Sequence, residues 1–112
     1  MSTIGKIEGE RMAALACINR VLLRAAELDW ESASLAQLEE IKGRLGSAPP
    51  CANRDDTALR GALTALRSAT TRLNAVADVM KTSADFSDRL SGLVNNATTV
   101  AGQVAKLRNG RH

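Results

Sequence analysis

The chain of 112 residues has no tyrosine, a single phenylalanine (Phe86), a single tryptophan (Trp30) and a single histidine, His112, at its last position. With aromatics at 2%, a core can be built only from Leu, Ala, Val, Ile and Met. Ala and Leu head the helix-propensity scale, whereas strands favour β-branched and aromatic residues. The fold class expected is therefore all-α. One terminal histidine cannot position a general base, and it leaves no inward Glu-x-x-His pair for a di-metal bundle. GxSxG, P-loop, GxGxxG, HExxH and EF-hand patterns are also missing. The expectation is a protein that is not an enzyme, with no catalytic residues, no metal ligands and no cofactors.

Cysteine and proline are scarce as well. The two cysteines, Cys17 and Cys51, form no CxxC and no Cys/His ligand spacing. They read as free thiols of a reducing compartment, with a disulfide between linker and helix as the alternative. The only prolines are Pro49 and Pro50, so nothing after them interrupts a helix. No apolar run approaches the ~18 residues of a membrane span, and Met1–Lys6 holds no apolar signal core. A cytoplasmic location is expected.

No charge sign dominates. The net charge is +3, made of −1 over residues 1–46 and +4 over 47–112. Lys106, Arg108 and Arg111 give a basic tail without interleaved aromatics, a weak basis for nucleic-acid binding. The mixed charge of the first helix does not suit a membrane surface.

What is present is helical periodicity. Ile4, Ile7, Leu15, Ile18, Leu22 and Ala25 recur at three- and four-residue steps and predict a first helix over about 3–28. Asp29-Trp30 marks a corner. Either Asp29 caps a second helix beginning at Trp30, or Ser34-Leu35-Ala36-Gln37 forms a capping box. The second helix, about 30–45, buries Leu35, Leu38, Ile41 and Leu45, with Gly46 placed as its left-handed C′ residue. A short connection makes the pair an antiparallel hairpin. Residues 47–54 form the linker.

From Asp56 onward a stripe runs through Leu59, Leu63, Leu66, Leu73, Val76 and Met80, and on through Phe86, Leu90, Leu93, Val100, Val104 and Leu107. One straight helix of about 50 residues would reach roughly 75 Å, so a break is expected. Thr82–Asp85 and Asn95–Thr99 both offer one. The run of Asn and Thr is the poorer helix former, which favours a third helix over about 56–95 and a short basic helix over about 100–108. The expected architecture is a single domain of three to four helices over 1–112, an antiparallel hairpin plus a long third helix. A third helix of that length carries more apolar stripe than the hairpin covers. The excess must meet a second copy of the chain, a folded-back tail or a partner's helix laid in a groove. Met80 and Phe86 lie in that part, and Met suits an adaptable contact surface.

Val21-Leu22-x-x-Ala25-x-x-x-Asp29-Trp30, followed by Leu38-Glu39-x-x-Lys42-x-x-Leu45, resembles the flagellar type III export chaperones of the FliT/FlgN kind. Arg72-Leu73-Asn74 and Phe86-Ser87-Asp88-Arg89-Leu90 loosely echo that family's third helix. The closer likeness covers about 25 residues, and the C-terminal tyrosine common in the family is missing. The resemblance implies a cytosolic helical protein of bacterial flagellum biogenesis. It would hold the terminal amphipathic helix of a secretion substrate and could dock on the export machinery. The implied partner-binding residues are Leu73, Val76, Met80, Phe86, Leu90 and Leu93, with Val104–Arg108 able to cover them when empty. Leu22, Ala25, Asp29 and Trp30 form the structural corner, with Trp30 read as a packing anchor. The alternatives are a self-assembling coiled coil, as a homodimer for example, and a basic nucleic-acid-binding accessory protein.

Overall fold

A computed structural model describes residues 3–47 and 56–109. They form four helices, α1 (Thr3–Glu27), α2 (Ala33–Ser47), α3 (Asp56–Asp78) and α4 (Ser83–Asn109), and no strand. The fold is all-α. Its dimensions are 44 × 21 × 20 Å with a radius of gyration of 14.4 Å. The long axis matches the roughly 40 Å of a 27-residue helix.

The two hairpins pack side by side. α3 lies against α4 and α1, α2 lies against α1 and α4, and α2 and α3 do not touch. The helices therefore run in the order α1, α2, α4, α3 around the bundle. Three polar links fix the registers. Arg11 donates to the Leu45 carbonyl, tying the N-terminal half of α1 to the last turn of α2. Arg67 faces Glu10 at 3.6 Å. Arg20 reaches Asp78 at 3.3 Å and Asn74 at 3.1 Å. Residues 10 and 20 of α1 thus meet successively later residues of α3, so those two helices run parallel. Both tight corners, 28–32 and 79–82, lie at the same end of the rod.

A single apolar cluster fills the centre. Ile18, Leu38, Leu45, Leu66, Leu73, Phe86, Leu93 and Val100 are its largest fully buried side chains. Each contributes about 1.5–3 kcal/mol of burial. That gain, rather than helix propensity, holds together helices carrying six outward-facing glycines whose missing Cβ atoms would meet nothing within 4 Å.

The first corner departs from both expected arrangements. α1 ends at Glu27 and α2 begins at Ala33, not at Trp30. Asp29 has a φ of 55°. Its N–H donates to the Ala26 carbonyl at 3.1 Å, and the Trp30 N–H reaches back to the Ala25 carbonyl at 2.8 Å. That pair of bonds is the Schellman pattern, with Asp29 as the left-handed residue that ends α1 rather than the cap that starts α2. The first bond of α2 runs from the Leu35 N–H to the Ser32 carbonyl at 3.1 Å, so Ser34 is inside the helix and opens no capping box. Gly46 is helical too. α2 continues to Ser47, whose hydroxyl donates to the Gly43 carbonyl at 2.8 Å.

The long third helix breaks at 79–82 and not at 95–99. Thr82 and Asp85 make the break a reciprocal cap. The Asp85 N–H donates to the Thr82 hydroxyl at 3.2 Å, and the Asp85 carboxylate accepts from the N–H groups of Thr82 (3.0 Å) and Lys81 (3.1 Å). The Asn-Thr run stays helical because Ala97 and Val100, both fully buried, pin that turn to the core. The hydroxyls of Thr98 and Thr99 donate to the carbonyls of Val94 and Asn95 within the same helix, bonds that add nothing to its stability. Burial outweighs the few tenths of a kcal/mol per residue that Asn and Thr lose in helix propensity. The linker readings at Pro49, Pro50, Cys51, Arg54 and Asp55 lie outside the described residues, as do Ser2 and Gly110–His112.

Candidate functional site

The residues expected to line a partner groove lie inside the molecule. Leu73, Met80, Phe86, Leu90 and Leu93 are buried, and Val76 is half-buried against the same cluster. The stripe of α3 is covered because α4 folds back along it, while α1 covers its flank. Of the three possible occupants of that stripe, the chain itself fills the role along most of its length. Val104 is buried as part of the same core, and the side chains of Leu107 and Arg108 lie outside the described residues.

The corner residues do converge. Ala25 is buried, Leu22 and Trp30 are half-buried, and Asp29 is exposed. The Trp30 ring meets the Phe86 ring with centroids 6.1 Å apart and planes tilted by 52°, a favourable aromatic arrangement. The tryptophan of the α1–α2 corner thereby joins the first turn of α4. Its Nε1 is buried without a hydrogen-bond partner among the described residues.

The surface that stands out is on the opposite side of α1. Ile7, Ala14, Cys17, Ile18, Val21 and Ala25 face the core. Gly9, Met12, Ala16, Asn19, Leu23 and Ala26 face outward and are all exposed. Their spacing alternates three and four residues, the a/d repeat of a coiled-coil seam. None of the six is charged, and residues 12–19 contain no charge at all. Leu23 and Met12 are 66% and 55% exposed, with Val79 the only other exposed large apolar side chain among the described residues. A helix with a buried stripe on one side and an uncharged seam on the other is not the usual amphipathic surface helix.

Two shallow grooves flank this seam. On the α3 side, about 560 Å³ is enclosed by Leu23, Val21, Ala77 and Met80, with Arg20, Arg24, Glu27, Asp78 and Lys81 at its rim. On the α2 side, about 630 Å³ lies between Met12, Leu15, Ala16 and Asn19 of α1 and Glu39, Lys42, Gly43 and Gly46 of α2. Gly43 and Gly46 leave the second groove open, since no side chain fills the space above them.

The polar groups nearby are structural. Burial pushes the Cys17 thiol above its ordinary pKa, with a hydrogen bond from Arg20 opposing that shift in part. Cys17 is a free thiol. Arg11, its side chain largely covered, is held by Glu8 at 2.8 Å while it satisfies the last turn of α2. Among the described residues no three His, Cys, Asp or Glu side chains cluster as metal ligands, and no helix is long and apolar enough to cross a membrane.

The α1 seam was readable in the sequence as a second three-four repeat running beside the core stripe. No protein-family model, no curated protein and no solved structure matches the chain.

Proposed function

We propose that the protein is a non-enzymatic chaperone or adaptor that receives an amphipathic helix of a partner protein on the outward face of α1. The observation that carries this reading is the exposed, uncharged a/d seam from Gly9 to Ala26, with Leu23 and Met12 as its two large apolar groups. A helix laid in a groove recognises such a surface through side chains at three- and four-residue steps. The rim of Arg20, Arg24, Glu27, Glu39 and Lys42 carries both signs, which suits a partner helix of mixed charge. The likeness of the α1–α2 corner to flagellar type III export chaperones makes a secretion substrate the partner class, bound in the cytoplasm before export. Relative to that family's arrangement the site moves from the third helix to the first, because α4 occupies the stripe of α3.

The test is affinity capture of the tagged protein from its own cell extract, alongside a Met12→Glu/Leu23→Glu variant. Recovery of a secretion substrate by the wild type and its loss with the variant is the expected result. Equal recovery by both would refute the placement on α1, and recovery of no secretion-system protein would refute the partner class.

A further inference from the structure

The same seam fits a second copy of itself. We infer that in the free protein the outward face of α1 docks on α1 of another copy, antiparallel, in a two-fold dimer. This inference rests on reading the seam as a helix-accepting surface, and it names the resting occupant.

A two-fold contact requires a patch complementary to itself. In heptad terms Met12, Asn19 and Ala26 take d, and Gly9, Ala16 and Leu23 take a. The flank facing α3 carries Lys6, Ala13, Arg20 and Glu27 at e. The flank facing α2 carries Glu8, Leu15 and Leu22 at g. In a parallel pair, each g residue meets the e residue five positions on in its partner. That sets Leu15 against Arg20 and Leu22 against Glu27, apolar against charged on both sides. In an antiparallel pair, g meets g and e meets e. Leu15 then lies by Leu22 of the other copy, and Lys6 lies by its Glu27. The layers between them pair Met12 with Leu23, Ala16 with Asn19 and Gly9 with Ala26, each occurring twice. The two large exposed side chains thus cover one another, and the glycine and alanine layers let the backbones approach. Leu15 and Leu22 are only half-buried in the single chain and complete their burial in this register. A parallel register offers none of these matches.

The seam spans roughly 27 Å of helix. A strip of that length about 15 Å wide buries about 400 Å² per copy, half the ~800 Å² typical of a stable complex. The dimer is accordingly weak and reversible, dissociating over about 10 µM to 1 mM. A partner helix of higher affinity displaces the second copy, since both use Met12 and Leu23.

Sedimentation equilibrium of the purified protein across that range tests the proposal. The expected result is a concentration-dependent monomer–dimer equilibrium, weakened at least about tenfold by Met12→Glu/Leu23→Glu with helix content unchanged by circular dichroism. A wild type that stays monomeric throughout, or a dimer indifferent to that variant, overturns it. Orientation is read by oxidation in a Cys51→Ser background. Mixing Gly9→Cys with Ala26→Cys protein is expected to give a heterodimeric disulfide, with Ala26→Cys alone giving none. Efficient disulfide formation by Ala26→Cys alone overturns the antiparallel register. The two readings fail separately: a monomer that still captures its substrate through the seam overturns self-docking only, and a seam-dependent dimer that captures nothing overturns the adaptor reading only.

Discussion

Asp29 sits where the chain would favour glycine, and replacing it should stabilise the fold. Its φ of 55° places an L-residue in the left-handed region, which costs roughly 1–2 kcal/mol for most side chains and somewhat less for Asp. Asp29→Gly removes that cost. It also removes a negative charge from the C-terminal end of α1, where the helix dipole disfavours it by about 0.3–0.5 kcal/mol at an exposed site. Against these gains stands the extra freedom of glycine in the unfolded chain, about 0.5–1 kcal/mol. The net expectation is about 0.5–1 kcal/mol of stabilisation, or roughly 2–4 °C in Tm for a domain of this size. Two further substitutions separate the contributions. Asp29→Asn keeps the tolerance for positive φ and loses only the charge, so a gain of a few tenths of a kcal/mol is expected, shrinking as salt is added. Asp29→Ala loses the charge but not the strain, and should be neutral or destabilising. Urea and thermal denaturation followed by circular dichroism measure all three. An Asp29→Gly protein no more stable than wild type, or an Asp29→Ala protein stabilised as much as Asp29→Gly, would refute the assignment of Asp29 as the left-handed terminus of α1.

Other expectations follow from burial and capping. Leu73→Ala and Leu93→Ala should each cost about 2–5 kcal/mol, since both side chains are fully buried; denaturation midpoints unchanged from wild type would return them to a surface role. Gly61→Ala and Gly92→Ala should each add up to about 1 kcal/mol of stability, because both positions are exposed, helical and clear of neighbours; a loss in thermal denaturation would reveal a contact the fold does not contain. Backbone hydrogen bonds from Lys81 and Thr82 hold the Asp85 carboxyl below its ordinary pKa. A depressed carboxylate stabilises above its unfolded pKa, and that contribution fades as pH falls through the folded value. The Tm difference between wild type and Asp85→Asn should therefore be present at neutral pH and vanish in acid; a difference that persists in acid contradicts the cap. Cys17, buried with its thiol pKa raised, should resist alkylation in a Cys51→Ser protein until it unfolds, and rapid labelling of the native protein would show that α1 opens.

How much of this was legible in the sequence depends on whether a signal was local or required knowing what covers what. The all-α class and the existence of α1 and α2 follow from composition and spacing, which act within one helix. The corner at Asp29-Trp30 was legible as a corner. Its chemistry was not, because an Asp beside a helix end can cap the helix that follows or terminate the one before, and only the backbone bonds to Ala25 and Ala26 decide. The break in the third helix was misplaced for a tertiary reason. Asn95–Thr99 is the weaker helix former, but Ala97 and Val100 lie against the core, and an anchored weak turn survives where an unanchored one would not. Thr82-Ser83-Ala84-Asp85 was a visible cap sequence that propensity alone ranked second, although its reciprocal bonds outweigh that small difference. The same blindness to cover moved the candidate site. An apolar stripe announces that something lies over it and does not say what. Once the break falls at 79–82, α4 is long enough to fold back along α3, and the stripe becomes interior. The surplus then has to be sought on a helix whose buried face is already accounted for. Among the described helices α1 alone carries large exposed apolar side chains, Met12 and Leu23, in an uncharged three-four repeat on the far side of a filled core face. A repeat of that period on an exposed face is shaped for another helix, which makes α1, rather than the long stripe after Asp56, the element on which binding should be tested first.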